Sequence, residues 1–247
     1  MTGGANGLGL GVAKALLSVG AQVAVADLAE PLDSLSPDER AAFFPVTMDV
    51  TDEASVRDGI TSVVQHLGGL DTLVNSAGVI QFRAIEGIST QEWDWILDVN
   101  LRGTFLVTRE AMPHLKESHR GRVVNIASNA GKKGYALMAA YCASKFGVVG
   151  FTQAIAAEVG RDSVRVNAVC PSTVAETGMG QRVLDQKVAL GLGTSPDEIL
   201  GRSASSFPLQ RVGTVADVVS AVMFLISEAS DWITGESINI DGGSLAG

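Results

Sequence analysis

Short β-branched apolar runs recur along the chain at 21–27 (AQVAVAD), 43–48 (FFPVTM), 71–75 (DTLVN), 121–128 (GRVVNIAS), 163–170 (SVRVNAVC) and 236–241 (ESINID). Between them, near 7–19, 52–67, 89–117, 138–160 and 214–227, apolar positions follow a helical period. Strand alternating with helix predicts an α/β fold, a doubly wound parallel sheet with helices on both faces. The strand runs are continuously apolar, as burial on both faces requires. At 172–206 Ser, Thr, Gly and Met replace this pattern, and the stretch reads as a mobile lid within a single domain spanning 1–247.

A chain of 247 residues, 46% hydrophobic, can bury a full core and lies in the single-domain range. Eighteen basic against 27 acidic residues leave a net charge of −9, which repels nucleic-acid backbones and anionic lipid, so neither partner is expected. No apolar run approaches the ~18 residues a membrane helix needs, and no basic-then-apolar leader opens the chain. Cys142 and Cys170 are 28 positions apart, with no CxxC and no neighbouring His. They predict neither a disulfide framework nor a metal site, and fit a reducing, cytoplasmic setting.

The opening TGGANGLG places Gly3, Gly7 and Gly9 in a turn that runs into a helix, with Asn6 and Leu8 inside it. Unpaired backbone N–H groups and the positive helix end can hold a pyrophosphate there. An ordinary strand-to-helix turn would look similar. Asp27 shifts the balance, because it ends the next strand 18 positions after Gly9, near the spacing expected for a carboxylate on an adenosine ribose. A carboxylate accepts from a free 2′-hydroxyl and repels a 2′-phosphate, so NAD is expected over NADP. Neither the turn nor Leu28, just after Asp27, supplies a cation for such a phosphate.

Tyr141 and Lys145 are four apart and share a helix face if 138–160 is helical. A phenol titrates near pH ~10, and a cation at ~4 Å lowers it by up to ~3 units at an effective dielectric of ~20. That would bring the phenol into the range where it exchanges protons with an alcohol. Such pairs also occur on ordinary helix surfaces. Here the helix follows NIASNAG, which puts Ser128 at the end of an apolar strand, where parallel sheets gather their ligand sites.

With TGGANGLG, NSAG (75–78), VNLRGTF (99–105), VNIAS (124–128), YCASK (141–145), VRVNAVCPS (164–172) and the C-terminal FLISEASDWITGESINIDGG, the chain resembles the short-chain dehydrogenase/reductase family over essentially its whole length. The thirteen-residue interval from Ser128 to Tyr141 matches the family pattern. The resemblance implies a Rossmann-type sheet ordered 3-2-1-4-5-6-7 and a homotetramer. It implies Tyr141 as acid/base, Lys145 as its tuning cation and ribose ligand, Ser128 as donor to the substrate oxygen, and Asn100 as holder of a relay water. Asn100 could equally be a polar helix interruption bonding a backbone group. Further cofactor contacts implied are Asn75, Ala77 and Gly78, Asp49 and Val50, and Pro171, Ser172, Val174 and Thr177; for Asp49 helix capping is the alternative. The substrate wall facing the lid is expected from Gln81, Phe82, Asn129 and the stretch from Tyr135 through Leu137 to Met138.

Two departures bear on this. Pro171-Ser172 stands where the family has Pro-Gly, and the loop to Thr177 is one residue longer. Only Met1 precedes the Gly-rich turn where the family has an apolar strand, so the first strand is expected to be missing or truncated in this sequence, with further residues upstream. The expected activity is NAD(H)-dependent interconversion of a small secondary alcohol (polyol, sugar or hydroxy-ketone) with its ketone. The alternatives are a 3-oxoacyl carrier-protein reductase and a non-catalytic dinucleotide-sensing scaffold.

Overall fold

The computed structural model describes residues 1–28 and 35–246. Its strands are β1 (Ala24–Asp27), β2 (Phe44–Thr47), β3 (Thr72–Asn75), β4 (Arg122–Ile126), β5 (Arg165–Pro171) and β6 (Ser237–Ile240). The helices are α1 (Gly7–Ser18), α2 (Pro37–Ala41), α3 (Glu53–Leu67), α4 (Thr90–Leu97), α5 (Gly103–Glu117), α6 (Ala139–Val159), α7 (Gly178–Ala189), α8 (Pro196–Ser206) and α9 (Val215–Ile226). Every strand pairing is parallel, β1 with β2 and, separately, β3-β4-β5-β6.

The two sheets meet at Thr2, which bridges Ala26 on one side and Asn75 on the other. Ala26 N–H donates to the Met1 carbonyl at 2.8 Å, and Thr2 N–H donates to the Val74 carbonyl at 3.1 Å. The truncated first strand expected from the sequence is thus a two-residue link between β1 and β3. It still satisfies backbone groups that would otherwise be orphaned in a dry interior.

Side chains alternate faces along the central strands. Leu73, Val123 and Val166 join the core under α3 and α5 with Val56, Ile60, Leu106 and Leu115. Val74, Val124 and Val169 join the opposite core, with Val12 of α1 and Val218, Val222 and Leu225 of α9. Each such fully buried side chain contributes about 1.5–3 kcal/mol, which makes the strand ends beside the site rigid.

Two predicted elements differ. The single helix expected at 89–117 is split by a π-type turn at Asp98–Arg102, because Asn100 bonds the backbone of Val79 rather than following its neighbours. The irregular stretch expected at 172–206 forms α7 and α8 over a small core of Ala175, Leu184 and Ile199. Thr177 caps α7 and Ser195 caps α8.

Candidate active site

Helix α6 brings Tyr141 and Lys145 onto one face, β4 delivers Ser128, and the π-type turn delivers Asn100. All four are buried. The Ser128 hydroxyl stands near the Tyr141 phenol and favours its charged form. Lys145 Nζ donates to the Ile126 carbonyl at 2.8 Å and lies 5.7 Å from the Tyr141 ring centroid. Asn100 Nδ2 donates to the Val79 carbonyl at 2.9 Å and to Ser144 Oγ at 3.0 Å, while its Oδ1 accepts from Val79 N–H at 2.8 Å. The Asn100 amide is therefore engaged by backbone and by Ser144, whose hydroxyl donates to the Tyr141 carbonyl at 2.7 Å. Sequence reasoning missed Ser144, since a Ser inside YCASK carries no signal of its own.

The electrostatics correct one expectation. Burial pushes the Tyr141 phenol up to about 12, with the Ser128 hydroxyl opposing. Burial pushes the Lys145 ammonium down to about 8. Desolvation is the largest cause of the Tyr141 shift, and the Lys145 ammonium donates to the Ile126 carbonyl.

The Gly-rich turn closes against the loop after β3. A Cβ on Gly3 (φ 58°) would stand 2.7 Å from Ala77 backbone, and one on Gly9 would stand 2.1 Å from the Gly3 carbonyl oxygen. Thr2 Oγ1, unnoticed in the sequence, accepts from Ser76 N–H at 3.2 Å and Ala77 N–H at 3.4 Å. Asn6 begins α1 without using its side chain as a cap, and the Leu8 side chain packs into the α1–α9 core. The Asp27 carboxylate accepts from Ala5 N–H at 3.0 Å and Leu28 N–H at 2.9 Å, and Leu28 itself is exposed. Thr177 packs on Gly7, 3.2 Å from where a Cβ would be. A side chain would fill this cradle, the first N–H groups of α1 have no helical acceptor, and a carboxylate stands at the end of β1. The set fits a dinucleotide.

Other expected cofactor contacts sit differently. Asn75 is buried, its Nδ2 donating to Thr108 Oγ1 at 3.0 Å and Asn125 Oδ1 at 2.9 Å, so the amide nitrogen is committed to the interior beneath the sheet end. Asp49 accepts from Thr51 N–H at 2.8 Å and Thr51 Oγ1 at 2.7 Å; the cap of α3 is Asp52. Val50 is buried against Gly103, and Gly78 faces Asn100 Oδ1 and Lys145 Nζ. Pro171 ends β5, and Val174 is buried in the α1–α9 core. Ser172 Oγ accepts from Asn129 Nδ2 at 3.0 Å.

On the substrate side, Gln81 is turned to Glu92, donating to it at 2.8 Å, and Arg83 meets the same carboxylate at 2.8 Å. Leu137 (φ 66°) accepts through its carbonyl from Arg83 N–H at 2.8 Å. Gln81 and Leu137 line a small side cavity with Glu92, Ile96 and Ala140, because the Glu92 carboxylate captures the amide. Asn129 faces the tetrad, its Oδ1 accepting from Ser128 Oγ at 3.3 Å. Helix α7 meets Phe82, whose N–H donates to Gln186 Oε1 at 3.2 Å and whose ring centroid lies 5.5 Å from Lys187 Nζ.

A family model described as short chain dehydrogenase matches residues 1–188. The 2-(S)-hydroxypropyl-CoM dehydrogenase 3 of Xanthobacter autotrophicus is 41% identical over 250 residues, covering 100% of this chain and 95% of its own. Among solved structures, an actinorhodin polyketide ketoreductase variant with NADPH superposes with a TM-score of 0.93 at 33% identity, covering 100% of this chain and 96% of the other. An NAD+-bound xylitol dehydrogenase superposes with a TM-score of 0.92 at 29% identity, covering 98% and 96%. Sequence, fold and relatives agree that the chain belongs to the short-chain dehydrogenase family.

Proposed function

We propose that the protein is an NAD(H)-dependent oxidoreductase that interconverts a small secondary alcohol, such as a polyol, sugar or hydroxy-ketone, with its ketone. The observation that carries this reading is the pairing of the Ser128 and Tyr141 hydroxyls, backed by the Lys145 ammonium, in a buried site beside the glycine cradle. With its pyrophosphate held by the turn of Gly3, Gly7 and Gly9, a bound nicotinamide dinucleotide would supply or accept the hydride.

The chain's own groups do the rest. Ser128 holds the substrate oxygen and stabilises the charge growing there. Tyr141, a phenol at neutral pH because of its burial, donates its proton to that oxygen in reduction and is reprotonated from solvent, whereas in oxidation it first loses its proton to solvent and its phenolate then takes the alcohol proton. Lys145 adds positive charge beside the phenol. Asp27 supports NAD over NADP, since its carboxylate at the end of β1 repels a 2′-phosphate.

A homotetramer belongs to the same reading. Phe105 on α5 and Phe146 on α6 are 40% and 47% exposed, apolar surface that a second copy would cover. A cytoplasmic setting is supported by Cys142 and Cys170, both free. Among the described residues no helix is long and apolar enough to cross a membrane.

The test is a panel of alcohols and ketones followed by NADH absorbance. Turnover of small secondary alcohols with NAD is expected. A tenfold higher kcat/KM on long 3-oxoacyl thioesters would replace the reading with the carrier-protein reductase. A protein that binds NADH yet turns over nothing would replace it with the sensing scaffold.

A further inference from the structure

Three polar side chains that the tetrad leaves unused converge beside Ser128. Asn129 Nδ2 donates both to Tyr135 Oη at 2.9 Å and to Ser172 Oγ at 3.0 Å. They come from the turn after β4, the approach to α6 and the end of β5, and all three are half-buried. An amide that donates to both hydroxyls fills an acceptor site on each and leaves each O–H proton without a partner among the described residues.

Several hydroxyls inside the helices behave otherwise. Ser144, Thr152 and Thr104 each donate to a backbone carbonyl one turn earlier, at 2.7, 2.8 and 2.8 Å. Tyr135 and Ser172 instead stand as two oriented donors. The amide that orients them also accepts from Ser128 Oγ, the group that would hold the reacting oxygen.

We infer that Tyr135 and Ser172, oriented by Asn129, form a second oxygen subsite, and that the substrate carries a hydroxyl next to the reacting one, as in a vicinal diol or the matching hydroxy-ketone. This rests on the proposed dehydrogenase reading and narrows its substrate class. It also moves Ser172 from the expected cofactor side to the substrate side. Tyr135 remains a phenol because burial and the nearby Asp241 carboxylate both raise its pKa, so it acts as a donor at neutral and mildly alkaline pH. An analogue that covers these donors without accepting from them leaves them unpaired, which is costly, and a site built around a hydroxyl therefore rejects the analogue without it.

The experiment compares 2,3-butanediol stereoisomers with 2-butanol, using NAD and the full chain, in the parent, Tyr135→Phe and Ser172→Ala. The parent is expected to favour at least one diol over 2-butanol by tenfold or more in kcat/KM. Each variant is expected to shrink that ratio at least fivefold, chiefly through KM for the diol. Phe retains the ring and Ala removes only a hydroxyl, so a thermal melt within a few degrees of the parent shows that the fold is kept. Oxidation of 2-butanol without a diol preference, or an unchanged ratio in both folded variants, overturns the subsite and leaves the dehydrogenase reading standing. Oxidation of neither alcohol, nor of any other in the wider panel, overturns both.

Discussion

Lys145 Nζ, buried at the site, donates to the Ile126 carbonyl oxygen at 2.8 Å. The bond holds the cation in place without neutralising it. Its burial lowers the ammonium from 10.5 to about 8, so the unfolded chain binds the extra proton between those two values. Stability consequently rises with pH across that window, and below pH 8 the full penalty is present.

Lys145→Met is therefore expected to abolish turnover and yet stabilise the fold at pH 7. The gross relief is about 3 kcal/mol at ~1.4 kcal/mol per unit, reduced by about 1 kcal/mol for the lost hydrogen bond. At this chain length the net corresponds to a Tm gain of roughly 4–8 °C. Thermal melts at pH 7 and across pH 8–10 check it: the parent gains stability over the second range and the variant does not. Above pH 10 the raised Tyr141 pKa acts in the opposite sense, because the folded state then holds the proton that the unfolded chain loses. A variant that melts below the parent at pH 7 would contradict this account.

Tyr141→Phe keeps the ring in its packing against Ala130, Cys142 and Met138 and deletes only the hydroxyl. Turnover is expected to fall by about three orders of magnitude, the scale of lost acid/base catalysis, while NADH binding measured by fluorescence persists. Turnover within tenfold of the parent removes Tyr141 from the mechanism.

The strands were legible because burial on both faces writes an unbroken apolar run, and Tyr141, Lys145 and Ser128 because helix period and strand end place them together. Other features depend on tertiary partners that spacing does not encode. Asn100 bonds the Val79 backbone where the helix is interrupted, and the Gln81 amide is turned to Glu92. The helix α8 was readable in retrospect, since Ser195, Pro196 and Glu198 form a helix-start pattern. Its neighbour α7 was masked by Gly178 and Gly180, and a Cβ on Gly180 would lie 2.2 Å from the Val174 carbonyl. At Gly180 the glycine reports close backbone packing. The truncated first strand was legible only through the family resemblance, since a two-residue link has no period of its own.

The parent is expected to favour NAD over NADP by well over tenfold, and Asp27 is the residue to vary. Because its carboxylate also accepts from Ala5 N–H, Asp27→Ala would loosen the turn as well as remove the charge. Asp27→Asn separates the two, keeping an acceptor oxygen and losing the repulsion. It is expected to narrow the preference several-fold in kcat/KM with a smaller change in Tm than Asp27→Ala. Equal use of both cofactors by the parent overturns this reading of Asp27.

Two glycine-to-alanine changes are expected to act with opposite sign. In α1, a Cβ on Gly9 would meet the Gly3 carbonyl oxygen at 2.1 Å and Gly4 Cα at 3.0 Å, both backbone atoms that no rotamer change can move. Gly9→Ala must therefore push the helix start away from the Gly-rich turn, which costs stability and spreads the N–H groups proposed to hold the pyrophosphate. A loss of about 1–3 kcal/mol is expected, the range for overpacking, together with at least a tenfold weaker NADH Kd. In α8, Gly201 is exposed and its added Cβ meets nothing within 4 Å. Gly201→Ala should gain up to about 1 kcal/mol from helix propensity alone, and NADH affinity should stay within twofold. Thermal melts and a fluorescence titration of both variants distinguish a locally required glycine from a replaceable one. If Gly9→Ala bound NADH as tightly as the parent, the turn would not be the pyrophosphate cradle, whatever the change in Tm.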